Sequence, residues 1–153
     1  MRKIICIMIA AGLIGCTQQV IKKDDTGGTI YLAPERYNLQ FTGYSTAIDD
    51  PKNDRRSYYK IILNKIDEGR TTFGLESQGK SYEALLEANR HLLVVEKWVL
   101  DEKAGQYVKL NNIEQPKPNF FYFNTEKDKI VIVEMKEGKN GKAEFTASFK
   151  LKE

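Results

Sequence analysis

The chain offers few side chains suited to covalent or metal chemistry. It has one His, His91, and two Cys, Cys6 and Cys16, in 153 residues. A His/Cys metal centre takes three or four such ligands, so this composition excludes one. His91 lies between Arg90 and Leu92, and no G-x-S-x-G motif occurs, so a Ser-His nucleophile has no recognisable setting. The ring reads instead as a residue at a helix-to-strand junction, stabilising the helix C-terminus. Paired carboxylates of the kind that hydrolyse glycosides occur as Asp49-Asp50, Asp67-Glu68 and Asp101-Glu102. All three pairs fall in polar turns, where solvation accounts for them. Asp49, Asp50, Asn53 and Asp54 are the best calcium candidate. Their spacing is not that of an EF-hand loop, and Arg55 and Arg56 beside them repel a cation. Gly27-Gly28 and Gly138-Lys139-Asn140-Gly141 match neither a P-loop nor a dinucleotide fingerprint. The expectation is a protein that is not an enzyme and holds no metal and no cofactor.

One reactive group remains, the thiol of Cys16. Arg2 and Lys3 form a short positive start, and Ile4 to Ile14 is an uninterrupted apolar run. The run is shorter than the roughly 20 residues that span a bilayer as a helix. It suits the hydrophobic region of an export signal. It ends in Leu13-Ile14-Gly15-Cys16, which resembles the lipobox of bacterial lipoproteins. That resemblance implies cleavage between Gly15 and Cys16, with Leu13, Ile14 and Gly15 as the recognition residues. It also implies a diacylglycerol on the Cys16 sulfur and an acyl chain on its new amine. Two or three acyl chains anchor a protein firmly, where one binds reversibly. The implied divisions are a signal peptide over 1–15, a lipidated Cys and flexible tether over 16–28, and one β-rich domain over 29–153. A tether of this length has a reach of about 20 Å. Thr17, not Asp, follows the Cys, which resembles the pattern for delivery to the outer membrane at its periplasmic face. The late acidic pair Asp24-Asp25 leaves surface display as an alternative.

The division also sets the charge of the expected mature domain. Of 24 basic side chains, Arg2 and Lys3 fall in the signal, leaving 22 against 21 acidic ones and a net charge of +1. A nearly neutral domain lacks the electrostatic footprint of a nucleic-acid binder. With Cys6 removed and Cys16 lipidated, the domain has no disulfide and must stand on its core.

The body of the chain patterns as short strands. Tyr37 to Tyr44 and Ser57 to Ile66 are β-prone, with Asp67-Glu68-Gly69 as a turn leading to a return strand from Arg70 to Glu76. Ser81 and the run Glu83 to Ala88 predict one short α-helix over about 82–90, with Tyr82, Leu85, Leu86 and Asn89 on one face. Leu92 to Leu100 and Gln106 to Leu110 flank a five-residue hairpin loop, 101–105. Lys129 to Glu137 and Lys142 to Lys152 flank Asn140-Gly141, a strong hairpin signal. The last strand places Ala143, Phe145, Ala147, Phe149 and Leu151 on one face, expected to be buried, with polar residues opposite. About eight strands and one helix predict a mainly β fold, an antiparallel β-sandwich or a small open barrel.

The aromatic residues, one Trp, eight Tyr and seven Phe, all lie beyond Cys16. Tyr58-Tyr59 and Phe120-Phe121-Tyr122-Phe123 must point to both faces of their strands, because side chains alternate. Either a second layer covers the outer rings or they form a binding surface. Arg55 and Arg56 beside Tyr58 are the candidate partner-binding residues. The expected role is an envelope lipoprotein that binds a protein partner and holds it at the membrane. In layout it is similar to the lipoproteins of secretion machines, including the type VI system. The alternative is a module that binds a glycan, a hydrophobic ligand or a target of inhibition.

Overall fold

In the computed structural model, residues 21–23, 29–31 and 37–152 are described. The chain divides into two units, Met1–Leu32 and Ala33–Glu153. In the first, β1 (Ile21–Lys23) pairs antiparallel with β2 (Thr29–Tyr31), so part of the expected tether carries local pairing. Leu13, Ile14, Gly15 and Cys16 lie outside the described residues.

The second unit is a β-sandwich. Its first sheet has the order β12-β11-β3-β7, from β3 (Leu39–Ser45), β7 (Lys80–Ala84), β11 (Lys129–Glu137) and β12 (Ala143–Leu151). Its second sheet runs β10-β8-β4-β5, from β4 (Arg56–Leu63), β5 (Ile66–Arg70), β8 (Arg90–Asp101) and β10 (Phe120–Asn124). Short strands β6 (Gly74–Leu75) and β9 (Gln106–Lys109) pair with β4 and β8. No barrel closes among the described residues. All pairs are antiparallel except β3 with β11, which run parallel. Period-two alternation builds the core between the sheets. Leu39, Phe41, Val131, Val133 and Met135 come from one sheet, and Tyr59, Ile61, Leu63, Leu93, Val95 and Phe123 from the other.

Gly43 occupies the inward row of β3 for a steric reason. A Cβ there would sit 2.9 Å from a Tyr59 ring carbon and 3.0 Å from the tip of Phe41. The absent side chain is the space that the Tyr59 ring fills.

The helix over 82–90 does not form. Lys80–Ala84 is strand β7, paired with β3 through Phe41↔Tyr82 and Leu39↔Ala84. Tyr82, Ala84 and Leu86 pack on the core with period two, while Leu85, assigned to the helix's buried face, is exposed. A nine-residue helix is marginal alone. Pairing along β3 satisfies a row of backbone groups and overrides the local propensity. His91 therefore ends no helix. It is buried in β8, where Nδ1 takes the Asn64 amide N–H at 2.9 Å and Nε2–H donates to the Glu87 carbonyl at 2.9 Å.

The turn after β4 also shifts. It is the two-residue Asn64-Lys65, with φ of 52° and 72°, and Asp67-Glu68-Gly69 lie within β5. Positive φ at both central residues is the hairpin geometry that matches strand twist. Asn64 is held there by β8, since its side-chain oxygen accepts from Leu92 N–H at 3.0 Å. Gly69 instead marks the β-bulge opposite Ile61 and Ile62. The hairpins expected at 101–105 and at Asn140-Gly141 both form, the first with Asp101 paired to Gln106, so that its loop is the four residues 102–105. The last strand pairs with β11 along its whole length, yet its apolar face is covered only at the start. The facing sheet reaches it at Phe145, on which Phe121 stacks at 5.3 Å, and Phe149 and Leu151 remain exposed.

Candidate binding surface

Strand alternation sends Tyr59 and Lys97 inward and their neighbours Tyr58 and Trp98 outward on the second sheet. Tyr58 and Trp98 are directly opposed across β4 and β8, with rings 5.9 Å apart. Tyr107 of β9 lies 5.2 Å from Tyr58, and Phe73, from the segment between β5 and β6, lies 5.4 Å from it. Phe73 and Tyr107 close the cluster at 5.1 Å. Arg70 at the end of β5 lays its guanidinium 4.4 Å from the Phe73 centroid and 5.6 Å from that of Tyr58. Such cation–π placement orients the Arg without consuming its hydrogen-bond donors. The Trp98 indole N–H is buried with no hydrogen-bond partner among the described residues. Stacking, not hydrogen bonding, therefore holds that ring.

The same sheet face continues past Leu92 and Val94 to Phe120 and Tyr122, both about half exposed. Arg90 covers the Tyr122 ring at 4.6 Å. No layer of the second unit covers this face among the described residues. The face carries large rings with an arginine at each end, a composition that concentrates binding energy at protein interfaces.

Beneath the Tyr58–Trp98 pair lies a buried ion cluster. Lys97 Nζ sits 2.5 Å from a Glu76 carboxylate oxygen and 2.9 Å from one of Glu137. Tyr59 donates its hydroxyl to the same Glu137 oxygen at 3.2 Å, and Arg55 Nε reaches Glu76 at 2.6 Å. Burial alone would push the Glu76 carboxyl up, but hydrogen bonds from Arg55 and Lys97 outweigh it and hold it below its ordinary range. Burial, reinforced by Glu137, drives the Tyr59 phenol well above its ordinary value. Lys80 is fully buried too. Its ammonium donates to the carbonyls of Leu75 at 2.7 Å, Glu76 at 3.2 Å and Gln78 at 2.9 Å. It knots the turn that carries Glu76. Burial, then the positive charge of Lys97, lowers its pKa to about 8. With every acid matched to a base, the cluster stiffens the sheet under the aromatic rings and leaves no unpaired carboxylate to act as general acid or base.

The sequence candidates separate. Arg56 and Tyr58 share the outer face of β4, whereas Arg55 turns away to Glu76 and Glu114. Arg55 lines a cleft of about 640 Å³ together with Lys52, Glu76, Asp101, Lys103 and Glu114. A second cleft, about 220 Å³, is lined by Glu96, Lys109 and Gln115 among others. Charged and polar side chains make up most of both linings. The acidic loop residues are engaged separately: Asp49 with Lys139, Asp50 capping Lys52 N–H, and Asp54 accepting from Ser77. Among the described residues no group of three or more His, Cys, Asp or Glu could hold a metal.

Sequence reasoning missed Arg70, Phe73, Tyr107 and the buried cluster. Lys97 and Glu137 were findable, since each continues an inward row, after Leu93 and Val95 and after Val133 and Met135. Phe73 and Tyr107 carried no such signal, because the fold alone brings them to Tyr58. No protein-family model matches the chain, and no curated protein or solved structure matches it.

Proposed function

We propose that the chain is a cell-envelope lipoprotein, anchored through acyl chains on Cys16, that holds a protein partner at the membrane through the aromatic face of its second sheet. The observation that carries this reading is the cluster of Tyr58, Trp98, Tyr107 and Phe73 under Arg70, built on paired strands and braced from below. A rigid aromatic platform loses little side-chain entropy on binding. A short tether raises its local concentration for any partner at the same surface. The domain acts by binding, with no catalytic step. Delivery to the periplasmic face of the outer membrane and a place in a secretion-type envelope assembly are parts of the same proposal. Thr17 after the Cys and the small lipidated β-domain support them.

Two experiments test the reading. Labelled palmitate should enter the parent chain in cells and not a Cys16→Ala variant; equal labelling of both refutes the anchor. A photo-cross-linker replacing Arg56, exposed beside Tyr58 on the outer face of β4, should trap one discrete protein in intact cells, while one replacing Ser148 on the other sheet should not trap it. Loss of this difference removes the partner reading. The glycan-binding alternative is favoured by the near-parallel Tyr58 and Trp98 rings, and it predicts saturable sugar binding that Trp98→Ala abolishes.

A further inference from the structure

We infer that β12 is the interface of a homodimer in which two copies of this strand pair antiparallel about Ser148. The observation concerns hydrogen bonding along the strand. Lys152 N–H donates to Asp128 at 3.0 Å and Gly138 N–H to Lys142 at 2.7 Å, so the even-numbered residues of β12 face β11. The odd-numbered residues therefore direct their N–H and C=O groups to the outer edge. Ala143 is already engaged there, donating to Lys117 at 2.8 Å. From Phe145 to Leu151 the edge is open among the described residues. It has no Pro and no bulge to discourage pairing, and its charged residues, Glu144 and Lys150, lie on the outer face away from the apolar row. Its apolar row is equally open, with Phe149 50% and Leu151 70% exposed.

The strand is complementary to itself. With Ser148 on the two-fold axis, Phe145 opposes Leu151 of the second copy and Ala147 opposes Phe149, so a small side chain meets a large one. On the outer face Glu144 opposes Lys152, and Thr146 opposes Lys150. All four odd residues of each strand then fall in bonded pairs, giving about eight new hydrogen bonds. Pairing about Ala147 instead sets Lys142 against Lys152 and drives Leu151 into the place held by Lys117. Pairing about Phe149 sets the two Phe149 rings directly opposite each other, large against large. The centred register uses the whole open edge and joins two four-stranded sheets into one of eight. The aromatic face lies on the other sheet and stays free, so this inference stands independently of the proposed partner.

The test uses the full chain in mild detergent. Residues opposed across the axis in a non-bonded pair have Cα atoms about 4.5 Å apart, within disulfide reach. Ser148→Cys should give a species of twice the mass under mild oxidation, absent in the parent chain. Thr146→Cys should give little, because its two copies stand about 13 Å apart. Ala147→Pro deletes an outward N–H that β11 does not use, and should convert a sedimenting dimer to monomer without changing the circular dichroism. Should that variant not fold, Phe149→Lys makes the same test. A monomeric parent, equal cross-linking at 146 and 148, or coupling of the Ser148→Cys chain to a different protein overturns the inference.

Discussion

Tyr58 and Trp98 stack 11° from parallel on opposed residues of β4 and β8, directly above the inward pair Tyr59 and Lys97. The outward rings and two members of the buried cluster thus come from the same four residues. Each of these outward rings is one peptide unit from a residue of the buried cluster.

The outer members of the cluster contribute little to the core, so their removal separates binding from folding. Phe73→Ala and Arg70→Ala should each weaken partner cross-linking at least tenfold, about 1.4 kcal/mol or more. The thermal midpoint should move by only a few degrees. Undiminished cross-linking in both variants would remove this face from the binding site.

Lys97 balances two buried carboxylates, Glu76 and Glu137. Lys97→Met leaves both without their shared cation and should cost about 3–5 kcal/mol in urea unfolding. Adding Glu137→Gln to Lys97→Met should recover part of that loss, because the double variant buries one charge fewer. Additive costs would show that the two residues are not coupled.

Lys80 makes stability depend on alkaline pH. Its pKa is about 8 folded, against 10.5 for the free side chain, so between these values the unfolded chain binds more protons. Stability therefore rises with pH across that window, by up to about 3 kcal/mol. Above about pH 10 Tyr59 opposes the trend, since its phenol stays protonated only in the folded chain. Unfolding measured from about pH 7.5 to 9.5 should show the rise in the parent and lose it in Lys80→Met. A flat parent profile would contradict the burial of this ammonium. In acid the Glu76 carboxyl, held low by Arg55 and Lys97, contributes stability that is lost as pH falls through its folded pKa, below 4.5.

Gly43 offers a steric test of the core. Gly43→Ala puts a methyl against the Tyr59 ring and should destabilise by about 1–3 kcal/mol. Combining it with Tyr59→Leu, which withdraws the ring, should lower the added cost of the methyl and leave only the share due to the Phe41 tip. An equal cost in both backgrounds would place the strain elsewhere.

Much of the fold was legible in local pattern. Period-two runs located β4, β8, β11 and β12, and Asn140-Gly141 located its hairpin, because alternation and positive φ are properties of a few adjacent residues. The 82–90 segment misled because Glu83 to Ala88 has helical propensity, while the β3 edge that captures it lies about forty residues earlier in the chain. The turn after β4 misled similarly: Asp67-Glu68-Gly69 has turn chemistry, but Asn64 is pinned by His91 and Leu92 of another strand.

The amino-acid sequence by itself determined the β class and the scarcity of His and Cys, and it carries the Leu13-Ile14-Gly15-Cys16 pattern on which the proposed anchor rests. Each depends on residue type and near-neighbour spacing alone. The tertiary structure decided which aromatic rings meet, that Arg70 and not Arg55 covers them, and that Lys97, Glu76 and Glu137 share one buried site. Those outcomes depend on strand order and register, which bring together residues far apart in the chain through pairing energies that no local window contains.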